Sequence, residues 1–281
     1  MSTILITGAS GSIGRELARS MSARHDVICL SRKDPKLGLR WIQGDFGLDE
    51  DLKQLDDTSI DVAIHLGAVT GGCAERDGIL VNVEGTRCLI RYLMDHGCRK
   101  FVMASSIALI GIQSTSFRPL QVPIADEHPC LDRDGYGLSK YLMEEVTKYY
   151  HRQNPEIDVI NLRLAVVVPD EEMPPLAMPG SIQEWALGCI TVMARSDAIR
   201  AFTLAAQAPP QPGVRIMNAV NQKAWTAVPV AEVLRSWWGD DVDLSHFEQP
   251  GHEYDSVYEA SRIQAELGFV AEVTPDNTKR L

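Results

Sequence analysis

The sequence predicts an α/β fold, a doubly wound parallel sheet with a small mixed α/β lobe after it, and three observations predict this. Short apolar runs of the kind that form strands buried on both faces alternate with helical patterns through the first half. The first run, Ser2–Thr7, passes straight into Gly8-Ala9-Ser10-Gly11-Ser12-Ile13-Gly14 and then into a helical pattern with Leu17, Ala18 and Met21 on one face. Past Pro169 the composition changes, with Pro174, Pro175 and Pro179 marking irregular chain before shorter helices and one more strand. The expected division is 1–168 as a dinucleotide-binding domain and 169–281 as a small substrate lobe, free to return a strand or helix to the first.

The glycines explain why the opening turn points to a dinucleotide. Gly8 permits the tight turn out of the strand, and Gly11 lets backbone approach a pyrophosphate. Gly14 lets the new helix lie close to the sheet, with its N-terminal N–H groups aimed at phosphate, and Ser12 and Ile13 complete that turn. Glycine turns also occur for ordinary reasons, so the rest of the chain has to agree.

Asp26–Ser31 reads as the second strand, and the residues after it bear on which dinucleotide is held. A carboxylate there would accept from the ribose 2′-OH of NAD. The chain has Ser31-Arg32-Lys33 instead. A guanidinium grips a 2′-phosphate bidentately and a hydroxyl can donate to it, so NADP is expected over NAD. The plainer reading is two solvated loop charges. Leu39–Gln43 is a third strand, closed by Gly44-Asp45-Phe46, where Asp45 could accept from an adenine amino group. Asp61–Leu66 is a fourth strand, and the small residues Gly67 and Ala68 after it admit backbone close to a ribose or phosphate. His65 reads as a packed strand histidine. A long helix carrying Asn82 follows.

Lys100–Ser106 is the fifth strand and delivers two hydroxyls, Ser105 and Ser106, to the carboxyl edge where open parallel sheets bind ligands. After a long loop from Gly111 to Asp134, Tyr136-Gly137-Leu138-Ser139-Lys140 opens a helix. Residues four apart share a helix face. A lysine ammonium beside a phenol favours the phenolate, which makes Tyr136 a candidate acid/base for interconverting an alcohol and a carbonyl. Ser106 could hydrogen-bond the same substrate oxygen. Residues 158–168 form one apolar strand stopped by Pro169, interrupted by Arg163, whose charge calls for an ion pair or a place in the site. In the second half, helices are expected at Trp185–Met193 and Asp197–Ala206, the latter capped by Ser196-Asp197. A strand over Val214–Val220 and helices over Val230–Trp238 and Ala260–Leu267 complete the pattern, the last ended by Gly268.

Composition narrows the classes. A chain of 281 residues with 45% hydrophobic residues can bury a large core. The net charge of −11, with no basic run, argues against a nucleic-acid or membrane partner and leaves a small-molecule substrate. The cysteines (Cys29, Cys73, Cys88, Cys98, Cys130, Cys189) are scattered and form no Cys-x-x-Cys pair. A reducing, cytoplasmic setting is expected. No secretory signal is expected ahead of the first strand, and no apolar run approaches the length of a membrane span. The histidines do not cluster along the chain with one another or with cysteines, so no metal is expected.

These residues together resemble the short-chain dehydrogenase/reductase superfamily, in its extended branch of NAD-dependent epimerases and dehydratases. The resemblance rests on Thr7-Gly8-x-x-Gly11-x-x-Gly14, Gly44-Asp45, His65-Leu66-Gly67-Ala68, Asn82-Val83-x-Gly85-Thr86, Ser105-Ser106, Tyr136-x-x-x-Lys140, Leu162-Arg163 and the tail Ser261–Phe269. It implies that Tyr136 transfers the proton, that Lys140 holds the nicotinamide ribose and tunes Tyr136, and that Ser106 orients the substrate oxygen. It implies a cofactor lining of Gly8, Gly11, Ser12, Ile13, Gly14, Ser31, Arg32, Asp45, Phe46, Leu66, Gly67, Ala68 and Asn82, beside Tyr136 and Lys140. Val69, Thr70, Ile107 and Arg163 are the substrate candidates. Members of the branch are often homodimers.

Three departures shape the functional expectation. Ile110 stands where many sugar-nucleotide members have tyrosine, the second-strand acid is missing, and the carboxyl lobe is short. The chain therefore looks more like members that oxidise free sugar acids, such as uronate or erythronate dehydrogenases. The expectation is an NAD(P)-dependent oxidoreductase acting on a secondary alcohol or ketone of a small polyhydroxylated substrate. A nucleotide-sugar epimerase or dehydratase that regenerates its cofactor is the alternative, and a non-catalytic dinucleotide sensor the third.

Overall fold

The computed structural model describes residues 1–276. The chain divides into two compact units, each built from separated stretches. The first comprises 1–105, 134–162 and 199–216, and the second 106–133, 163–198 and 217–281.

In chain order the elements begin with β1 (Thr3–Thr7), α1 (Ser12–Met21), β2 (Asp26–Ser31), β3 (Arg40–Gln43), α2 (Asp49–Leu52) and β4 (Val62–His65). They continue with α3 (Glu75–Asp77), α4 (Gly85–Asp95), β5 (Lys100–Ser106), α5 (Gly135–Gln153), β6 (Asp158–Leu164) and β7 (Val166–Val168). The remainder is α6 (Ala186–Cys189), β8 (Val192–Ala194), α7 (Arg195–Gln207), β9 (Gly213–Ala219), α8 (Val230–Trp238) and α9 (Ser261–Leu267).

The main sheet runs β3-β2-β1-β4-β5-β6-β9. Strands β1 to β5 pair in parallel, with Thr7 level with Leu30 on one side and His65 on the other. The order reverses direction between β1 and β4, the switch point at which doubly wound sheets bind ligands. This is the Rossmann-type sheet that the alternating runs predict. Its central strands are largely apolar because helices cover both faces: Ile4, Leu5 and Ile6 of β1 are all fully buried. Leu89 and Leu93 of α4, with Met143 and Tyr150 of α5, pack against Leu5, Phe101 and Val159 in one core. At the β6 end of this unit the buried Asp158 carboxylate takes Arg215 at 2.7 Å and Lys100 at 4.0 Å, so three charges are buried as a group.

Three element expectations are corrected. The strand expected over 158–168 is two strands: the chain breaks at Ala165, and β7 leaves the main sheet to pair in parallel with β8. Around the break, Leu164–Val168 is all apolar and carries no sign of such a sheet change. The helix expected over Trp185–Met193 is only the four residues of α6, because Val192 and Met193 are taken by β8. Ser196 and Asp197 lie inside α7, which starts at Arg195, two residues before the expected Asp197. Asp170 accepts from the Ser196 N–H, while Asp197 is buried and accepts from Glu272 N and Val273 N.

The second unit holds a buried carboxylate out of its comfortable range. Asp126 accepts from Asn218 N at 2.6 Å, and its backbone carbonyl takes Arg163 Nη1 at 2.7 Å. Burial lifts this carboxyl to about 6. An acid raised in the fold penalises stability as pH climbs through 3.8 towards 6, and the penalty is complete above that. Asp126→Asn keeps an acceptor for Asn218 and removes the charge. It should stabilise the protein by roughly 1–3 kcal/mol at pH 7.5 and by nothing near pH 3.5, read as denaturant midpoints at the two pH values.

Candidate active site

The first turn is built by exclusion. Gly8 has φ +67, and a Cβ there would lie 2.7 Å from Gly67 N, so neither its conformation nor its neighbours accept a side chain. A Cβ on Gly14 would run into the Gly8 carbonyl oxygen. Gly11 precedes α1 and no side chain caps the helix, while Ser10, Gly11 and Ser12 are exposed. Ile13 is half-buried. An uncapped helix start behind a glycine-rich turn fits a pyrophosphate.

Thr7, at the end of β1, ties this turn to the loop after β4. Its Oγ1 accepts from Leu66 N at 3.2 Å and Gly67 N at 3.1 Å. The Thr7 proton is therefore left for His65 Nδ1, 2.7 Å away, and His65 Nε2–H donates to Thr86 Oγ1 at 2.9 Å. That chain demands a neutral imidazole, and burial first, then the Lys140 charge, push His65 down to about 3. The packed-histidine reading of His65 agrees with this. A histidine lowered in the fold withdraws stability as pH falls below 6.5, where the unfolded chain binds the proton and the native one does not. Stability should decline steadily from pH 6.5 towards 3, and His65→Gln should flatten that acid limb in pH-dependent urea titrations.

The remaining cofactor candidates of this unit lie on neighbouring loops. Ser31 is buried and donates to the Lys33 carbonyl at 2.8 Å, so its proton, expected to serve a phosphate, is used within the loop. Arg32 is exposed. Asp45 Oδ1 accepts from Gly47 N at 2.9 Å, and Phe46 meets the His65 ring edge-on at 4.7 Å. Leu66, Ala68 and Val69 are half-buried, Gly67 is buried and Thr70 is exposed. Asn82 sits in a π-helical stretch, Gly78–Glu84, of the widened kind found at functional sites. Its carboxamide grips Val69 N and O at 2.8 and 2.9 Å and donates to Ser139 Oγ at 2.9 Å, which fixes the loop against α5.

Helix α5 presents Tyr136 and Lys140. Asp134 caps it, accepting from Tyr136 N at 2.7 Å and Gly137 N at 2.9 Å, so the tyrosine lies in the first turn. Tyr136 is half-buried and Lys140 is 3% exposed, with Nζ 5.8 Å from the centre of the phenol ring. The ammonium donates to the Ala104 carbonyl of β5 at 2.7 Å. Burial lowers it to about 8, with Glu144 opposing. Glu144, one turn further on and buried, accepts from Ser105 Oγ at 2.6 Å. Cys73 is half-buried, its thiol pushed up first by burial and then by Asp134, while Lys140 pulls the other way.

Ser106, Ile107 and Arg163 belong to the second unit. Ser106 is half-buried and its Oγ accepts from Ala108 N at 3.1 Å, while Ile107 and Arg163 are buried. Sequence reasoning missed Thr7 as a clamp, Thr86, the Asp134 cap, Cys73 and Glu144. Two of these carried a signal: Asp134-Gly135 is a helix-start pattern, and Glu144 lies one turn beyond Lys140 on its face. In space two histidines do come together: the His246 and His252 rings lie 4.9 Å apart beside Asp255. Six residues of separation looked unrelated until the chain turned back on itself.

Strand order and glycine turn together define a Rossmann-type dinucleotide-binding architecture. The family model described as NAD dependent epimerase/dehydratase matches residues 4–213, and the chain belongs to that family. It is 26% identical over 183 residues to a UDP-glucose 4-epimerase of Oryza sativa subsp. japonica, covering 57% of this chain and 43% of that protein. It is 28% identical over 171 residues to D-erythronate dehydrogenase of Cupriavidus necator, covering 53% and 51%. The chain thus spans about half the length of the curated relatives it matches. Among solved structures it shares the fold of a UDP-glucose 4-epimerase from Bifidobacterium longum in complex with NAD+ and UDP, with TM-score 0.72, 18% identity and coverage of 98% and 95%. It shares it equally with a superfamily member from Agrobacterium tumefaciens with bound NAD, with TM-score 0.71, 21% identity and coverage of 98% and 94%. Among the described residues no helix is long and apolar enough to cross a membrane.

Proposed function

We propose that this chain is an NAD(P)-dependent oxidoreductase acting on a secondary alcohol or ketone of a sugar, sugar acid or similar polyhydroxylated small molecule. The observation that carries the reading is Lys140: a buried amine on the Ala104 carbonyl of β5, one helical turn from Tyr136, in a Rossmann-type sheet. Burying an ammonium is costly, and the cost is explained if its charge acts on a phenol and a ribose.

Bound nicotinamide supplies the hydride acceptor. In the oxidising direction, with the hydride acceptor bound, the Tyr136 oxygen would take the proton of the substrate hydroxyl. A C=O bond forms, and the reverse sequence makes the alcohol. Lys140 stabilises negative charge on the Tyr136 oxygen, and Ser106 orients the substrate oxygen. Asn82 holds the Val69 loop in register with α5. Gly8, Gly11 and Gly14 with the start of α1 take the pyrophosphate, and Asp45 the adenine. The part of the chain after residue 168 contributes the substrate lobe, with Arg163 nearby in sequence, and the working form is a cytoplasmic homodimer.

NADP is the proposed preference. It rests on the exposed Arg32 and on a serine, not a carboxylate, at the end of β2, although Ser31 spends its own proton on the Lys33 carbonyl. A free sugar acid is the favoured substrate class, supported by the likeness to an erythronate dehydrogenase. The likeness to UDP-glucose 4-epimerases favours a second reading, epimerisation with the cofactor regenerated in each turnover.

Incubation with a panel of sugars, sugar acids and nucleotide sugars, each with NAD+ and NADP+, tests both. The first reading expects net nicotinamide reduction with a free polyol or sugar acid. Stereochemical inversion of a nucleotide sugar with no net absorbance change would establish the second and overturn the first.

A further inference from the structure

The second unit gathers three metal-ligating side chains that the reaction above does not use. His246 stands on the short turn Ser245–Glu248, and a reversal through Gly251, at φ +90, returns His252 and Asp255 to it. Asp255 Oδ2 lies 3.2 Å from His246 Nε2 and 2.6 Å from His252 Nδ1. One ligand atom from each residue falls within 4.8 Å of the others. We propose that His246, His252 and Asp255 form a binding site for a divalent transition cation of the zinc class, with one coordination position left open.

The donor set selects the ion. Two imidazoles and a carboxylate suit Zn²⁺, Co²⁺ or Ni²⁺, whereas Mg²⁺ and Ca²⁺ require oxygen ligands. A tetrahedral ion with bonds of about 2.0–2.1 Å sets its ligand atoms roughly 3.4 Å apart. His246 already stands near that spacing from Asp255, and His252 lies closer to the carboxylate than a shared ion would hold it. Without the ion, both rings point a nitrogen at one carboxylate oxygen. With it, the lone pairs of those nitrogens face the metal and the ring protons sit on the opposite nitrogens.

The cluster is held before any ion arrives. Lys223 pairs with the other carboxylate oxygen, Oδ1, at 2.7 Å, and its backbone bridges that of Asp255. Glu253 and Tyr254 carbonyls accept from Val230 N and Ala224 N, and Ser256 N donates to Gln222 O, so the returning segment is pinned along its length. Lys223 orients the carboxylate as an outer partner, in the way second-layer groups orient metal ligands. Its positive charge also makes the site weaker than a closed structural zinc centre. His246 and Asp255 line a cavity of about 600 Å³ whose walls include Gln121, Gln222, Glu259 and Gln264. The cluster borders that cavity, from which water or a small oxygen ligand can reach the remaining coordination position.

The full chain, stripped with EDTA and freed of chelator, is titrated with Co²⁺ and then Zn²⁺. The expected result is one equivalent of Co²⁺ with the intense visible bands of a four-coordinate site and no thiolate charge-transfer band, displaced by Zn²⁺. His246→Ala and His252→Ala should each weaken Zn²⁺ binding at least about tenfold. They should also abolish the rise in melting temperature that Zn²⁺ gives the wild type. X-ray absorption on the zinc-loaded wild type reads the imidazole shell directly, whatever the variants do on folding. A sulfur shell, millimolar-only binding, or unchanged affinity in the double histidine variant would overturn the site.

Discussion

Tyr136→Phe is expected to lower kcat by about 10²–10⁴-fold while leaving dinucleotide affinity within about twofold. The phenol oxygen is the only part removed, and the ring stays half-buried over the start of α5. The α5 cap is made by the Tyr136 backbone N–H and is untouched by the change. The loss should therefore appear in the chemical step, in single-turnover reduction of the nicotinamide, with cofactor fluorescence titration and thermal melting unchanged. Full turnover by a folded Tyr136→Phe protein would remove tyrosine from the reaction and with it the proposed mechanism. Equal loss of cofactor binding would point to a structural role for the hydroxyl.

What could be read in the sequence was what depends on local pattern. β2 and β5 coincide with the apolar runs that predict them, and α8 with its periodicity, because burial on both faces or on one stripe leaves a periodic trace. The glycine turn was legible because only Gly8 and Gly14 satisfy its geometry, and Tyr136 with Lys140 because helix spacing is fixed. The break at Ala165 was not legible, since a run of Val residues suits either sheet equally well. Nor was the fate of Asp197: a good capping residue by pattern, it is drawn instead to Glu272 and Val273, some 75 positions along the chain. The His246–His252–Asp255 cluster and the Thr7–His65–Thr86 chain belong to the same class, polar groups brought together by long-range folding with no fixed spacing to announce them. Ser31 shows the opposite limit: the residue was in the expected place, but a neighbouring carbonyl had already taken its proton.

Lys140→Met should cost as much as Tyr136→Phe, and the pair of changes together little more than either. Groups that act as a unit lose their effect once, so the double variant should stay within about tenfold of the worse single variant, where independent roles would multiply the losses. The lysine carries its own signature in pH. Burial holds its amine at about 8, so the free enzyme loses the ammonium as pH rises through that value rather than near 10.5. In the wild type, kcat/KM should accordingly fall on the alkaline side with a midpoint near 8, because that parameter reports the free enzyme. In Lys140→Met the residual rate should show no such limb. A wild-type alkaline limb that survives in Lys140→Met would assign that titration elsewhere, and multiplicative losses in the double variant would separate Lys140 from Tyr136. Glu144 is the partner that makes the buried charge tolerable, lying one turn away and fixed by Ser105. Glu144→Gln, which keeps the acceptor and removes the charge, should therefore shift the alkaline limb to lower pH without abolishing turnover, since an ammonium that loses its counter-charge gives up its proton more readily.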